Sequence, residues 1–137
     1  CTRFSVVRYG NVIGSRGSVI PFFMGLRPSG VLPITDARMT RFLITLPDAV
    51  RFILHCIEVM TGEEEFLPRM PTCTIGDLCE AFVGEDGWPI EYVGSRLAGE
   101  KAHEVIEPGG PSSEDTTAWQ RLTVPEIREI LEKENLV

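Results

Sequence analysis

A glycine-rich segment that joins a predicted strand to a predicted helix constrains the fold of this chain most. It reads RYGNVIGSRGSVIPFF over residues 8–23 and overlaps the short apolar run TRFSVVRY of residues 2–9. Such a run is typical of a strand covered on both faces in a parallel sheet. A second segment, ITDARMTRF over residues 34–42, carries two arginines. Because helix N-termini and guanidinium groups both favour phosphate oxygens, the two segments indicate an anion-binding site.

The remaining hydrophobic pattern predicts helices that alternate with short strands. Ser18 is the expected N-cap of the first helix. The clearest helix covers residues 46–61, where Thr45 and Asp48 resemble a capping box and the apolar positions at helical spacing are Val50, Ile53, Leu54, Ile57 and Met60. Strands are predicted at residues 31–35, 40–45, 65–69 and 89–93. Two further helices are predicted to begin at Thr74 and after Thr123. The composition of residues 107–117 indicates a surface loop without a core pattern.

Composition limits the classes of function. The 137 residues, 43% of them hydrophobic, fit one globular domain or part of one. A net charge of -7 supplies no basic field, so nucleic acid is excluded as an expected partner. No apolar run approaches the roughly 20 residues that span a bilayer, and no secretory leader is recognisable, which predicts a cytoplasmic protein. The start at Cys1 instead of Met suggests that a preceding segment is absent.

Four cysteines, at positions 1, 56, 73 and 79, show no Cys-x-x-Cys spacing and are expected to be reduced. Cys73 and Cys79 could bind a metal with His55 or His103, but the spacing fits no common zinc module, so no metal site is predicted. Cys56 and Cys79 are expected to serve as small apolar residues on helix faces.

Three glycines, Gly10, Gly14 and Gly17, follow the first strand, as in a dinucleotide-binding fingerprint. That fingerprint spaces its glycines two and then three apart and has an acidic residue about twenty positions later. Neither condition is met, so the glycines are better explained by a tight turn. A tyrosine with a lysine four positions later is absent too, because Tyr9 and Tyr92 are followed at that offset by Ile13 and Arg96.

Polar residues in the loops leave two alternatives open. The arginines in loops or next to them are Arg16, Arg38, Arg41 and Arg96. They could bind phosphate, or they could form ion pairs with Asp36, Asp48 or Glu100. The run that contains His103 and Glu104 could belong to a catalytic or sugar-binding site, or to a solvated helix start.

Four ordered motifs, RYGNVIGSRGSVIPFF, ITDARMTRFLITL, GEEEFLPRMP and GEKAHE, resemble the C-terminal half of the extended short-chain dehydrogenase/reductase superfamily. More narrowly, they and the tail SSEDTTAW…LTVPEIREIL are similar to UDP-N-acetylglucosamine 4,6-dehydratases and related epimerases of surface-polysaccharide and pseudaminic acid biosynthesis. The resemblance implies an α/β fold that contains the last strands of a Rossmann-like sheet and a small α/β substrate-binding subdomain. Residues 1–137 would form a single partial domain without the N-terminal Rossmann half.

The same resemblance implies the chemistry. In that family NADP takes hydride from sugar C4, water is eliminated across C5 and C6, and hydride returns to C6. The cofactor glycines, the Tyr-x-x-x-Lys pair and the dehydration acids lie upstream in the family, so this chain is predicted to be inactive alone, to have no catalytic residue and to bind no NADP by itself. The alternatives are a UDP-sugar 4-epimerase fragment, or a non-catalytic module that binds nucleotide sugars or assembles with itself. A sheet edge without its neighbours favours a homo-oligomer.

The family motifs also predict site residues. Those expected near the cofactor are Tyr9, Gly10, Asn11 and Val12. Those expected to bind a UDP-sugar are Asn11 near the diphosphate, Ser18, Val19 and Phe22 along the sugar nucleotide, Pro33, Ile34 and Thr35 beside the uracil, Arg41 and Arg96 on the diphosphate, and Glu100 and Glu104 as organisers. The family usually reads Arg-Pro-Gly-Glu-Lys where this chain has the longer Arg-Leu-Ala-Gly-Glu-Lys of residues 96–101, which affects the placement of Arg96.

Overall fold

The computed structural model describes residues 2–94 and 100–137, so the predicted diphosphate residue Arg96 lies outside the described residues. Helices and short strands alternate, which confirms the α/β class. The elements in chain order are β1 (Val6–Val7), β2 (Asn11–Val12), α1 (Val19–Leu26), β3 (Leu32–Ile34), β4 (Thr40–Ile44), α2 (Leu46–Val59), β5 (Glu65–Phe66), β6 (Thr72–Thr74), α3 (Ile75–Val83), a 3-10 turn (Gly84–Asp86), β7 (Ile90–Tyr92) and α4 (Val124–Lys133).

The strands form three small sheets. β1 pairs with β5 and β3 pairs with β7, both in parallel. In the three-stranded sheet, β4 lies between β2, which is parallel to it, and β6, which is antiparallel. The register sets Asn11 opposite Leu43 and Thr40 opposite Thr74. β4 is therefore the central strand of this sheet, with a neighbour on each edge.

Three of the predicted helix starts have the expected caps. Thr45 Oγ1 accepts from the backbone N of Asp48 at 3.2 Å, and Thr74 Oγ1 accepts from that of Asp77 at 2.9 Å. At α4, the backbone N of Thr123 donates to the Glu126 carboxylate at 2.7 Å, which completes a capping box. No helix in residues 2–94 and 100–137 is long and apolar enough to cross a bilayer.

Ser18 occupies the N-cap position of α1 without capping the helix through its side chain. Its hydroxyl donates backwards to the Ser15 carbonyl at 2.6 Å instead. The Ser18 backbone N donates to the same carbonyl at 3.0 Å, so the preceding turn uses the side chain that the helix start would need.

A large core packs α1, α3 and α4 against β3 and β4. Its fully buried side chains include Phe23, Leu32, Leu78, Ile127 and Leu131. A second, smaller core lies on the other side of β4, where Phe42, Ile44, Ala49 and Met70 are buried and Trp119 meets the Phe42 ring edge-on at 5.0 Å between centroids. The two cores share the strand β4, from which successive side chains point to opposite sides.

Two expectations about burial differ from the structure. The predicted strand of residues 2–9 is reduced to Val6–Val7, and Val6 is half exposed. On α2, Val50, Leu54 and Ile57 are 45%, 56% and 61% exposed, although their spacing predicts an apolar face. The cause is the same in both cases, because no described element packs over the outer face of α2 or over that side of β1.

Candidate functional site

A cavity of about 460 Å³ lies where α1, β3, β4 and α3 meet, and we call it the central cavity. Nine of the eleven residues that the sequence predicts to bind substrate line it: Asn11, Ser18, Val19, Phe22, Pro33, Ile34, Thr35, Arg41 and Glu100. Of the other two, Glu104 lies in an adjacent cavity, and Arg96 is outside the described residues. The fold thus collects segments that are up to 89 positions apart in the sequence, from Asn11 to Glu100.

The central cavity is apolar at its base and polar at its rim. Phe23, Leu43 and Leu78, all buried, contribute to the base. The rim carries an amide, carboxylates and a guanidinium, from Asn11, Asp36, Glu100 and Arg41. A site of this kind can take a ligand with one flat or apolar part and one polar or charged part.

Arg41 is the cation among the described residues that line the central cavity. Its Nη1 donates to the carbonyl oxygens of Thr40 at 2.8 Å and Ala102 at 3.2 Å, and its Nε is 4.0 Å from Glu104 Oε1. The side chain is only 17% exposed. These contacts hold the guanidinium in the wall and leave part of its donor fork for another partner.

Glu104 connects the loop that follows residue 100 to the two strands β2 and β4. Asn11 Nδ2 lies 3.2 and 3.0 Å from its two carboxylate oxygens, and the backbone N of Phe42 donates to Oε2 at 3.2 Å. This pairing with Asn11 was not predicted from the sequence. The contact favours the alternative in which the run that contains His103 and Glu104 belongs to a binding site.

Arg38 forms an ion pair with Asp36, which is one of the two alternatives that the sequence left open for the loop arginines. Its Nε and Nη2 donate to Asp36 Oδ1 and Oδ2 at 3.0 and 2.7 Å. The hydrogen bonds from Arg38 lower the pKa of Asp36 to about 2. Asp36 is therefore ionised and already paired with Arg38, so its charge at the rim of the central cavity is neutralised.

A second cavity, of about 440 Å³, is lined by residues 7–11 together with Lys101 and residues 104–106, and we call it the loop cavity. Three of the four predicted cofactor residues line it, Tyr9, Gly10 and Asn11, whereas Val12 packs towards the smaller core. Gly10 has a separate structural reason to be glycine, since a Cβ there would lie 2.4 Å from the Phe42 Cβ. The side chains available to a cofactor from this set are therefore those of Tyr9 and Asn11.

No group of three or more His, Cys, Asp or Glu residues that could hold a metal ion occurs in the described part of the chain. Cys73 and Cys79 are fully buried, and burial raises the pKa of both thiols to about 12. Cys56 is buried as well, and burial raises its pKa. Cys56 and Cys79 thus act as the small apolar helix residues that the sequence predicts.

Comparison with known proteins identifies the family. Residues 1–125 match the polysaccharide biosynthesis protein family. A UDP-N-acetylglucosamine 4,6-dehydratase (inverting) from Campylobacter jejuni is 52% identical over 107 residues, which cover 77% of this chain and 31% of the relative. A UDP-glucose 4-epimerase from Rickettsia bellii is 41% identical over 108 residues, with the same two shares. The chain therefore spans about a third of the length of these curated relatives.

A solved structure supports the same assignment. The X-ray structure of Pen from Bacillus thuringiensis superimposes with a TM-score of 0.78 and 28% identity, over 96% of this chain and 49% of that one. The fold is thus the one expected for part of a Rossmann-like nucleotide-sugar enzyme. The chain belongs to the polysaccharide biosynthesis protein family, among nucleotide-sugar dehydratases and epimerases.

Proposed function

We propose that this chain is the nucleotide-sugar-binding part of an NADP-dependent UDP-N-acetylhexosamine 4,6-dehydratase of surface-polysaccharide or pseudaminic acid biosynthesis. The observation that carries the proposal is the central cavity, which gathers nine of the predicted substrate residues around one space. The 52% identity to a UDP-N-acetylglucosamine 4,6-dehydratase supports the choice of substrate class.

The lining of the central cavity suits the parts of a UDP-sugar. Pro33 and Ile34 offer an apolar border for the flat uracil, and Thr35 is fixed beside them because its hydroxyl donates to Glu100 at 3.0 Å. Arg41 supplies positive charge for the diphosphate, whose oxygens match the guanidinium fork. Asn11 and Glu104 would lie on the sugar side, next to the loop cavity.

The lining of the loop cavity supports a proposed position for the cofactor. Tyr9 and Asn11 would contact the nicotinamide end, and the bound cofactor would supply the acceptor and donor of hydride. The residues of this chain would hold the sugar nucleotide next to it. Because no tyrosine here is followed by a lysine four positions later, we propose that this chain alone catalyses no turnover. Turnover of UDP-N-acetylglucosamine by the purified chain with NADP would contradict that part of the proposal.

Calorimetry with UDP and with uridine tests the binding site. We expect UDP to bind the wild-type chain and Arg41→Ala to weaken UDP binding by about tenfold or more, because a charge-assisted phosphate contact is lost. The affinity for uridine, which has no phosphate, should change little in Arg41→Ala. Arg51→Ala is the matched control, since Arg51 is an exposed arginine on α2 whose partner is Asp48. No heat from UDP at millimolar concentration would contradict the proposal.

A UDP-sugar 4-epimerase is the second candidate, favoured by the 41% identity to a UDP-glucose 4-epimerase. The two candidates differ in the sugar that the site must accept. Competition calorimetry of UDP-N-acetylglucosamine against UDP-glucose separates them, and preference for UDP-glucose would favour the epimerase. A chain that binds UDP-sugars with no such preference would fit the non-catalytic binding module.

A further inference from the structure

A buried hydrogen-bonded cluster fastens the loop of residues 102–115 to β4, outside both cavities. Its members are Ser113 and Thr40, which are 0% and 1% exposed, and the partly buried His103. The two hydroxyl oxygens are 2.6 Å apart, and Thr40 Oγ1 is 2.8 Å from His103 Nδ1. Ser113 Oγ can also donate to the Thr40 carbonyl at 3.1 Å.

The same hydroxyl holds the backbone of Glu104. Ser113 Oγ accepts from the Glu104 backbone N at 2.8 Å, and the Ser113 backbone N donates to the Glu104 carbonyl at 2.7 Å. Ser113 thus binds both the backbone N–H and the carbonyl oxygen of Glu104. Glu104 lies in a stretch without helix or strand, so these two bonds replace the backbone hydrogen bonds that a helix or a sheet would provide.

We propose that Ser113 is a positioning residue for the nucleotide-sugar site and acts through Glu104; the inference rests on the proposed function. Ser113 and Thr40 line neither cavity. The path to the site runs from the Ser113 hydroxyl to the Glu104 backbone, and from the Glu104 carboxylate to Asn11 Nδ2 and the Phe42 amide. Asn11 lines both cavities. Its Nδ2 also lies 3.3 Å from the Phe42 carbonyl oxygen, so Glu104 and Phe42 together orient the amide that stands between the cavities.

The chemistry of the cluster explains why a hydroxyl is needed. Loss of the Ser113 oxygen would leave the Glu104 N–H and one Thr40 hydroxyl contact without a partner in a buried place, which is costly. Every buried side-chain N or O atom among the described residues has a hydrogen-bond partner, and this includes the hydroxyl oxygens of the cluster. The cost would be relieved by movement of the loop, and the Glu104 carboxylate would leave Asn11.

The test uses Ser113→Ala, with Ser112→Ala as the matched control next to it in the same loop. In the protein without ligand, the side-chain amide NMR signals of Asn11 should shift in Ser113→Ala towards those of Glu104→Gln, and should stay in place in Ser112→Ala. UDP affinity should fall by about fivefold in Ser113→Ala. The double variant with Glu104→Gln should bind UDP no worse than Glu104→Gln alone, because both act on the same contact.

A loss of thermal stability with unmoved Asn11 signals would show a structural role only and would overturn the proposal. Full additivity with Glu104→Gln would also overturn it. If Ser113→Ala does not fold, Thr40→Val removes the neighbouring hydroxyl at similar volume, and the Asn11 signals then decide in the same way. These signals are read without UDP, so a wild-type chain that fails to bind UDP would contradict the proposed function and leave the role of Ser113 decidable.

Discussion

The two sides of β4 differ in how far the chain covers its own apolar residues. On the side of the central cavity, α4 buries Ile127 and Leu131 completely against α3. On the other side, α2 buries Ala49 and Cys56 while Leu54 and its neighbours along the helix face outwards. Both helices have an amphipathic pattern. The comparison shows that periodicity predicts which residues of a helix need an apolar neighbour, but not whether this chain supplies one.

The largest expected effect compares the same substitution on the two helices. Leu131→Ala should lower the free energy of unfolding by about 2–5 kcal/mol, because it opens a cavity in the large core. Leu54→Ala should change it by less than about 0.5 kcal/mol, since that side chain is 56% exposed. Urea denaturation at low protein concentration measures both. Equal losses would show that something covers the outer face of α2.

Self-association is the next expected effect, and it concerns the exposed face of α2 with Val50, Leu54 and Ile57. We expect the wild-type chain to form a dimer or a higher oligomer through this face. Leu54→Glu should shift it towards monomer in sedimentation velocity, because a charge would be buried in the contact. His55→Glu adds the same charge at an exposed polar position of the helix and should change little. A wild-type chain that is monomeric at high concentration would contradict the prediction.

The smallest expected effect is a difference in thiol labelling rates. At pH 8 the native thiols of Cys73 and Cys79 stay protonated, because burial raises the pKa of each to about 12 and the thiolate is the reactive form. Labelling then reports local opening, and Cys56 on the inner face of α2 should react before the other two. Mass spectrometry of peptides from a Cys1→Ser background measures this, with urea-unfolded protein as control. Equal native rates would show that the two regions open together.

Local patterns in the sequence predicted the elements well where the signal was itself local. Thr45 and Thr74 cap the helices that their side chains were expected to cap, and β4 and β7 lie within one or two residues of their predicted bounds. The first strand was predicted to be longer than Val6–Val7, because the rule for buried strands assumes neighbours on both faces. The short strand β6 was missed, since three residues carry no periodicity.

The candidate site was predictable only where a family motif covered it. Motif residues such as Asn11 and Glu100 meet around the central cavity although they are far apart in sequence. The cluster of Thr40, His103 and Ser113 was missed, although each residue lies in a quoted motif, because its hydroxyl contact joins residues 73 positions apart and the motifs do not indicate which side chains meet. Residues 107–117 were expected to form a surface loop without a core pattern, yet Ser113 is fully buried there. Tertiary proximity gives such a small polar residue its role.

Gly10 has a consequence for redesign of this site. The ideal Cβ position at Gly10 lies 2.4 Å from the Phe42 Cβ and 2.8 Å from the Phe42 carbonyl oxygen, so the backbone just before β2 lies directly against β4 there. A mutant library that varies other residues of the central cavity has to keep this position constant. Any side chain there would push the two strands apart and widen the wall that carries Asn11. The spacing of that wall is thus a fixed dimension around which new specificities have to be built.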